Sequence, residues 1–268
     1  MSSSFQQDLP DLYEAGVVEL QDGLDAGRFS AVISSRLISL ELRSNLQGPE
    51  LRALLKVSPV ALKSAAELDE ERRVSGKRSM LHGIPVLLKD NIATISPQHD
   101  CRLLCATWIS TPDDAGVVKR LRKAGAIILG EQSQYVELAH FRGEVPSGCG
   151  SSSGSGVAAS IGLATVTLGT ETNGSITSPT SNNNIVGVKP TVGLTSRAGV
   201  IPIAAAQDTV GPMTRSVEDA AIVLSVIAAK IQRPPHAVQP SPVPDLHQSP
   251  GHQRLTGQAY RRARSSFP

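Results

Sequence analysis

The sequence predicts an α/β layered protein, and three observations carry that reading. Two short apolar runs, 84–88 and 126–129, have the length of buried strands. Stretches at 58–73, 111–125 and 216–229 carry helix signatures. The two kinds of segment alternate along the chain, the pattern of helices covering a sheet.

Each element has its own local reason. Residues 11–26 and 30–44 read as amphipathic helices: Ile33, Leu37 and Leu40 recur at helical spacing and Ser30 is a candidate N-cap. Residues 51–57 read as a strand. Ser58-Pro59 then offers an N-cap followed by proline at the first helical position, opening a helix to about Arg73. After a loop from Gly76 to Gly83 comes the strand at 84–88. Thr111-Pro112-Asp113-Asp114 repeats the N-terminal pattern and starts a helix ending at Gly125. The strand at 126–129 is expected to stop at Gly130. Two hydroxyl-rich segments, Cys149–Gly156 and Gly169–Ser175, read as flexible loops on either side of a short helix-like and strand-like unit. Residues 185–188 read as a strand stopped by Lys189-Pro190. Ser216-x-x-Asp219 opens a last helix to about Ala229.

The 268 residues suffice for one large domain or two small ones. The chain is 40% hydrophobic and 19% charged, a soluble globular balance. With aromatics at only 3%, the core must be filled by Leu, Ile, Val and Ala. A net charge of +2 argues against nucleic acid or an anionic membrane surface as partner. Three cysteines do not make a disulfide framework. Met1–Pro10 has no apolar core of a secretory signal, and Ala220–Ala229, interrupted by Ser225, is too short to span a bilayer. The expected setting is cytoplasmic. From Ile231 the composition changes: residues 231–268 hold 7 of the 18 prolines and 3 of the 6 histidines. That segment is too poor in aliphatic residues to offset its ordering entropy and is expected to be a disordered tail behind a core at 1–230.

The chemistry concentrates at one lysine and two serine-bearing segments. A serine hydroxyl is a weak nucleophile until a base takes its proton. Of the histidines, His236, His247 and His252 fall in the tail, and nothing around His82, His99 or His140 marks a triad partner. Lys89 ends the apolar run Ile84-Pro85-Val86-Leu87-Leu88, where desolvation would lower its pKa enough to make it a base. Most lysines are simply solvated, so the reading depends on burial. Thr172-Asn173-Gly174-Ser175 fits an oxyanion hole, because Gly and Asn tolerate the backbone angles that converge N–H groups on one oxygen; an ordinary tight turn would look the same. The Cys149–Gly156 segment lacks the Gly-Lys-Ser/Thr ending of a nucleotide loop. Cys101-x-x-x-Cys105 with His99 has no second pair at zinc spacing, so no metal is expected.

Taken in order, these segments resemble the amidase signature family. The matching stretches are Leu81–Ile92, Cys149–Gly156, Leu168–Ile176, Gly187–Leu194 and Gly211–Asp219, so the likeness covers most of residues 11–230. The Cys-Gly-Ser-Ser-Ser-Gly-Ser-Gly form looks most like fungal and bacterial amidases. The resemblance implies a mixed sheet sandwiched by helices. It implies a Ser-cisSer-Lys triad in which Ser175 is the nucleophile, Ser151 the bridging serine after a cis peptide bond, and Lys89 the base. It further implies that backbone N–H groups of Thr172, Asn173, Gly174 and Ser175 form the oxyanion hole. The implied reaction cleaves a small linear amide to a carboxylate and an amine or ammonia.

Three departures from the family pattern stand out. Residues 94–110 do not match, the connection from Phe141 to Gly150 is short, and the likeness fades after about Ala229 although family members usually run much longer. They imply an incomplete core, truncated in its C-terminal half, and leave a non-catalytic amidase remnant as the competing reading. An amidotransferase component that acts on charged tRNA fits less well, since such members usually carry arginine two residues after the nucleophile, where this chain has Thr177.

Overall fold

The computed structural model describes residues 11, 13–36, 38, 53–95, 100–102, 108–110, 113–132 and 150–228. The segment predicted to be a tail (231–268), residues 37 and 39–44 of the helix predicted over 30–44, and His99, Cys105 and Cys149 lie outside the described residues.

A six-stranded mixed sheet organises the chain. Its strands are β1 (Leu54–Val57), β2 (Pro85–Lys89), β5 (Ile127–Gln132), β6 (Val166–Glu171), β7 (Val186–Gly187) and β8 (Thr209–Thr214), in the spatial order β1-β5-β2-β6-β8-β7. A separate two-stranded hairpin pairs β3 (Asp100–Arg102) with β4 (Trp108–Ser110). In the centre, β2 runs parallel to β5 on one side and to β6 on the other. The outer strands β1, β8 and β7 join antiparallel. Both β2 and β6 are buried along their whole length, which is why 84–88 reads as a continuous apolar run instead of an alternating one.

The helices are α1 (Val17–Asp25), α2 (31–36), α3 (Ala61–Ser75), α4 (Gly116–Lys123), α5 (Ser153–Ser160), α6 (Thr177–Asn182) and α7 (Val217–Ile227). Helix α5 packs on β6, β8 and β2, α3 on β5, α7 on β8 and β7, and α4 against α7 and β5. Leu87, Leu88, Ile127, Leu129, Leu121, Val166, Leu168 and Val223 join one aliphatic core, as the scarcity of aromatics requires. The predicted capping of α7 is realised: the Ser216 hydroxyl accepts the Asp219 N–H at 3.0 Å.

Several local expectations are corrected. Helix α1 begins at Val17, six residues later than expected, because its N-terminus is set by a distant residue: the buried Asp219 carboxylate on α7 accepts the Val17 N–H at 2.8 Å. Helix α3 begins at Ala61, since the Ser58-Pro59 step is spent on a turn in which the Ala61 N–H donates to the Ser58 carbonyl at 3.2 Å. Helix α4 begins at Gly116, and Asp114, expected in its first turn, instead accepts the Ile95 N–H at 2.7 Å and, from within α4, Arg122 Nε at 2.8 Å. Strand β5 runs through Gly130 to Gln132. A side chain there would place its Cβ 2.2 Å from the Lys56 carbonyl oxygen on β1, so this glycine marks a close approach of backbones and not a strand end.

Candidate active site

Lys89 is the last residue of β2 and is 1% exposed. Register places Leu87, Thr167 and, two residues on, Lys89 and Gly169 on one sheet face. That face receives the N-terminus of α5. The Lys89 Nζ donates to the Ser151 Oγ at 2.6 Å in a buried pair, and the peptide bond joining Gly150 to Ser151 is cis. Burial pulls the Lys89 pKa from 10.5 down to about 8, against the opposing pull of the Asp90 and Glu171 carboxylates. An amine at that value is in part neutral near physiological pH, the state in which it can accept a proton.

The serine-rich segment is not a flexible loop. From Ser153 it is the first turn of α5, and Ser151–Gly156 are all buried. Ser and Gly are weak helix formers, but here tertiary bonds compensate. Ser152 Oγ donates to the Thr170 carbonyl and accepts the Thr170 N–H, both at 3.2 Å. Ser155 Oγ donates to the Leu168 carbonyl at 3.0 Å. Gly169 makes the contact feasible, since a Cβ there would lie 2.8 Å from Ser152 Oγ and 2.6 Å from Met213 Sδ.

Ser175 sits half-buried in the turn between β6 and α6. Its carbonyl accepts the Ser152 N–H at 3.1 Å, which ties this turn to the segment carrying Ser151. Thr172 and Gly174 are half-buried and Asn173 is exposed. Gly174 has φ of +86°, a conformation that favours glycine. The Gly174 N–H donates to Glu171 Oε1 at 2.8 Å, so one of the four expected oxyanion donors is engaged within the protein.

Glu171, at the end of β6, is a residue of this site that sequence reasoning missed. Its buried carboxylate also accepts the Ile176 N–H at 2.7 Å and the Thr177 N–H at 2.8 Å, at the start of α6. Burial would raise its pKa, but the N–H groups of Thr177, Gly174 and Ile176 outweigh burial and hold it below the usual value. An acid three residues before a run of N–H groups at a helix start is a signal that could have been read. Asn91 Nδ2, just beyond β2, donates to Thr170 Oγ1 at 3.0 Å; nothing local announces that contact. Among the described residues no cluster of His, Cys, Asp and Glu could hold a metal ion, and no helix is long and apolar enough to cross a membrane.

Comparison with known proteins places the chain among relatives of one kind. A family model described as Amidase matches residues 43–256. A protein of Arthroderma benhamiae, assigned to the amidases by name, is 41% identical across 83% of this chain and 44% of its own length. A protein of Arabidopsis thaliana, likewise assigned to the amidases by name, is 40% identical across 85% of this chain and 47% of its own. Among solved structures, the native peptide amidase of Stenotrophomonas maltophilia superposes with a TM-score of 0.74 at 42% identity, covering 84% of this chain and 51% of that one. The chain thus spans about half the length of the curated relatives it matches. Family match, fold and sequence identity converge: the chain belongs to the amidase family.

Proposed function

We propose that the chain is an amide hydrolase in which Lys89, Ser151 and Ser175 form a proton relay. The observation that carries the reading is the buried Lys89–Ser151 hydrogen bond of 2.6 Å. A lysine whose pKa is brought down to about 8 supplies the base that the histidines do not. Ser175 Oγ attacks the amide carbonyl carbon while its proton passes to Ser151 Oγ, and the Ser151 proton passes to Lys89 Nζ. The tetrahedral oxyanion is held by N–H groups of the Thr172–Ser175 turn, of which Gly174 must be shared with Glu171. The C–N bond then breaks, and the Lys89 ammonium returns a proton through Ser151 to the departing amine. Water attacks the resulting ester by the same relay, releasing a carboxylate and restoring Ser175. A small linear amide is the substrate class; likeness to a peptide amidase supports it. The relay uses no metal or organic cofactor.

The test is labelling by a serine-reactive fluorophosphonate. The folded parent chain is expected to label, and Ser175→Ala and Lys89→Ala are each expected to abolish it. The labelling rate should climb about tenfold from pH 7 to a plateau above pH 9, following the neutral fraction of Lys89. A folded parent that takes no label overturns the proposal in favour of the non-catalytic remnant.

A further inference from the structure

The side chain of Thr172 has a use separate from any role of its backbone. Thr172 Oγ1 donates to Asp208 Oδ1 at 2.5 Å. Asp208 immediately precedes β8 and is 8% exposed. Its second oxygen accepts the Ile203 N–H at 2.8 Å and the Ala204 N–H at 2.9 Å. The register Glu171↔Thr209 brings Thr172 and Asp208 together across the strand ends. Burial opposes ionisation of Asp208, yet the Thr172 hydroxyl, the Ile203 and Ala204 N–H groups and the Arg197 cation together hold its pKa below the usual value. The carboxylate therefore remains an acceptor on both oxygens at neutral pH.

The turn bearing Ser175 is thus gripped from two sides. Glu171 takes the N–H groups of Gly174, Ile176 and Thr177 on the α6 side. Asp208 takes the hydroxyl of Thr172 on the β8 side. Asn173 stands exposed between the two grips. Releasing the Asp208 grip removes the side-chain hydrogen bond that ties Thr172 to the start of β8.

We infer that Asp208 is a positioning residue that fixes the Ser175 turn through the Thr172 hydroxyl. This rests on the hydrolytic reading above. Neither side chain reaches Lys89 or Ser151 by any bond described, so the effect concerns placement of the nucleophile and its oxyanion donors, not supply of the base.

The experiment measures fluorophosphonate labelling rates of the full chain against pH for the parent, Thr172→Val, Thr172→Ser, Asp208→Asn and the Thr172→Val/Asp208→Asn double variant. A misplacement of about 1 Å costs on the order of a hundredfold, so Thr172→Val is expected to lower the maximal rate by about ten- to a hundredfold. Thr172→Ser, which keeps the hydroxyl, is expected to recover most of the loss. The rise with pH is expected to keep its midpoint near 8, because Lys89 is untouched. The double variant is expected to be no slower than the slower single, as for two ends of one bond. If Asp208→Asn does not fold, the Val/Ser pair at Thr172 still decides the matter. A parent that labels beside a Thr172→Val variant labelling at the same rate overturns the positioning role and leaves the hydrolytic reading standing. A serine variant no faster than the valine one also overturns it. A folded parent without label overturns both.

Discussion

Replacing Lys89 by methionine tests the burial of the amine without any substrate. The fall of its pKa from 10.5 to about 8 measures how much less the folded chain tolerates the charged form. At about 1.4 kcal/mol for each tenfold step in a proton equilibrium, that cost is about 3 kcal/mol. Well below pH 8 the amine is protonated in both folded and unfolded chains, and the full cost is present. Between pH 8 and 10.5 the unfolded chain holds a proton that the folded chain has released, so the parent gains stability as pH rises. Lys89→Met removes this dependence. It also strips Ser151 Oγ of its partner, but that loss does not vary with pH and cancels when two pH values are compared. Urea unfolding of parent and variant at pH 7 and pH 10 is the assay. The stability of the variant relative to the parent should fall by about 2 to 3 kcal/mol across that interval. A difference constant to within about 0.5 kcal/mol would mean that Lys89 titrates like a solvated lysine. The desolvated base, and with it the relay, would then have to be abandoned.

Two further outcomes are expected. Gly169→Ala would drive a methyl into Ser152 Oγ at 2.8 Å and Met213 Sδ at 2.6 Å; urea unfolding should show a loss of about 1 to 3 kcal/mol, and an unchanged midpoint would refute the close approach of α5 to β6. Glu171→Gln should flatten the acid limb of stability: the lowered pKa of Glu171 gives the parent stability above the ordinary value of 4.5 that is lost as pH falls through the folded value, so the gap between parent and variant should narrow on acidification.

How much of the molecule is legible in its sequence depends on whether the cause is local. The run at 84–88 is apolar on both faces because β2 lies between two parallel neighbours, and that burial is written directly in its composition. The burial of Lys89 follows from the same run, and Ser216 caps its helix as a local motif should. Helix starts deviate from expectation wherever the chain end is held from afar: Val17 is held by Asp219, 202 residues away, and no window of sequence contains both. Gly130 looks like punctuation but is required by the carbonyl of Lys56 on a neighbouring strand. The serine-rich segment reads as flexible because propensity counts Ser and Gly against a helix. What orders it is hydrogen bonding of Ser152 and Ser155 to the backbone of β6. The Asp208 contact to Thr172, 36 residues apart, is invisible for the same reason as that of Val17 and Asp219.

The bolting of α5 onto β6 sets how the Lys89–Ser151 pair can come apart. Ser152 and Ser155 fasten that helix to the backbone of an entirely buried strand whose neighbours are β2 and β8. Local breathing at the rim therefore leaves the pair joined, and only an opening of the middle of the molecule separates it. Amide protons of Ser152, Gly156 and Leu168 should then exchange with solvent as one cooperative unit, at the pace of global unfolding.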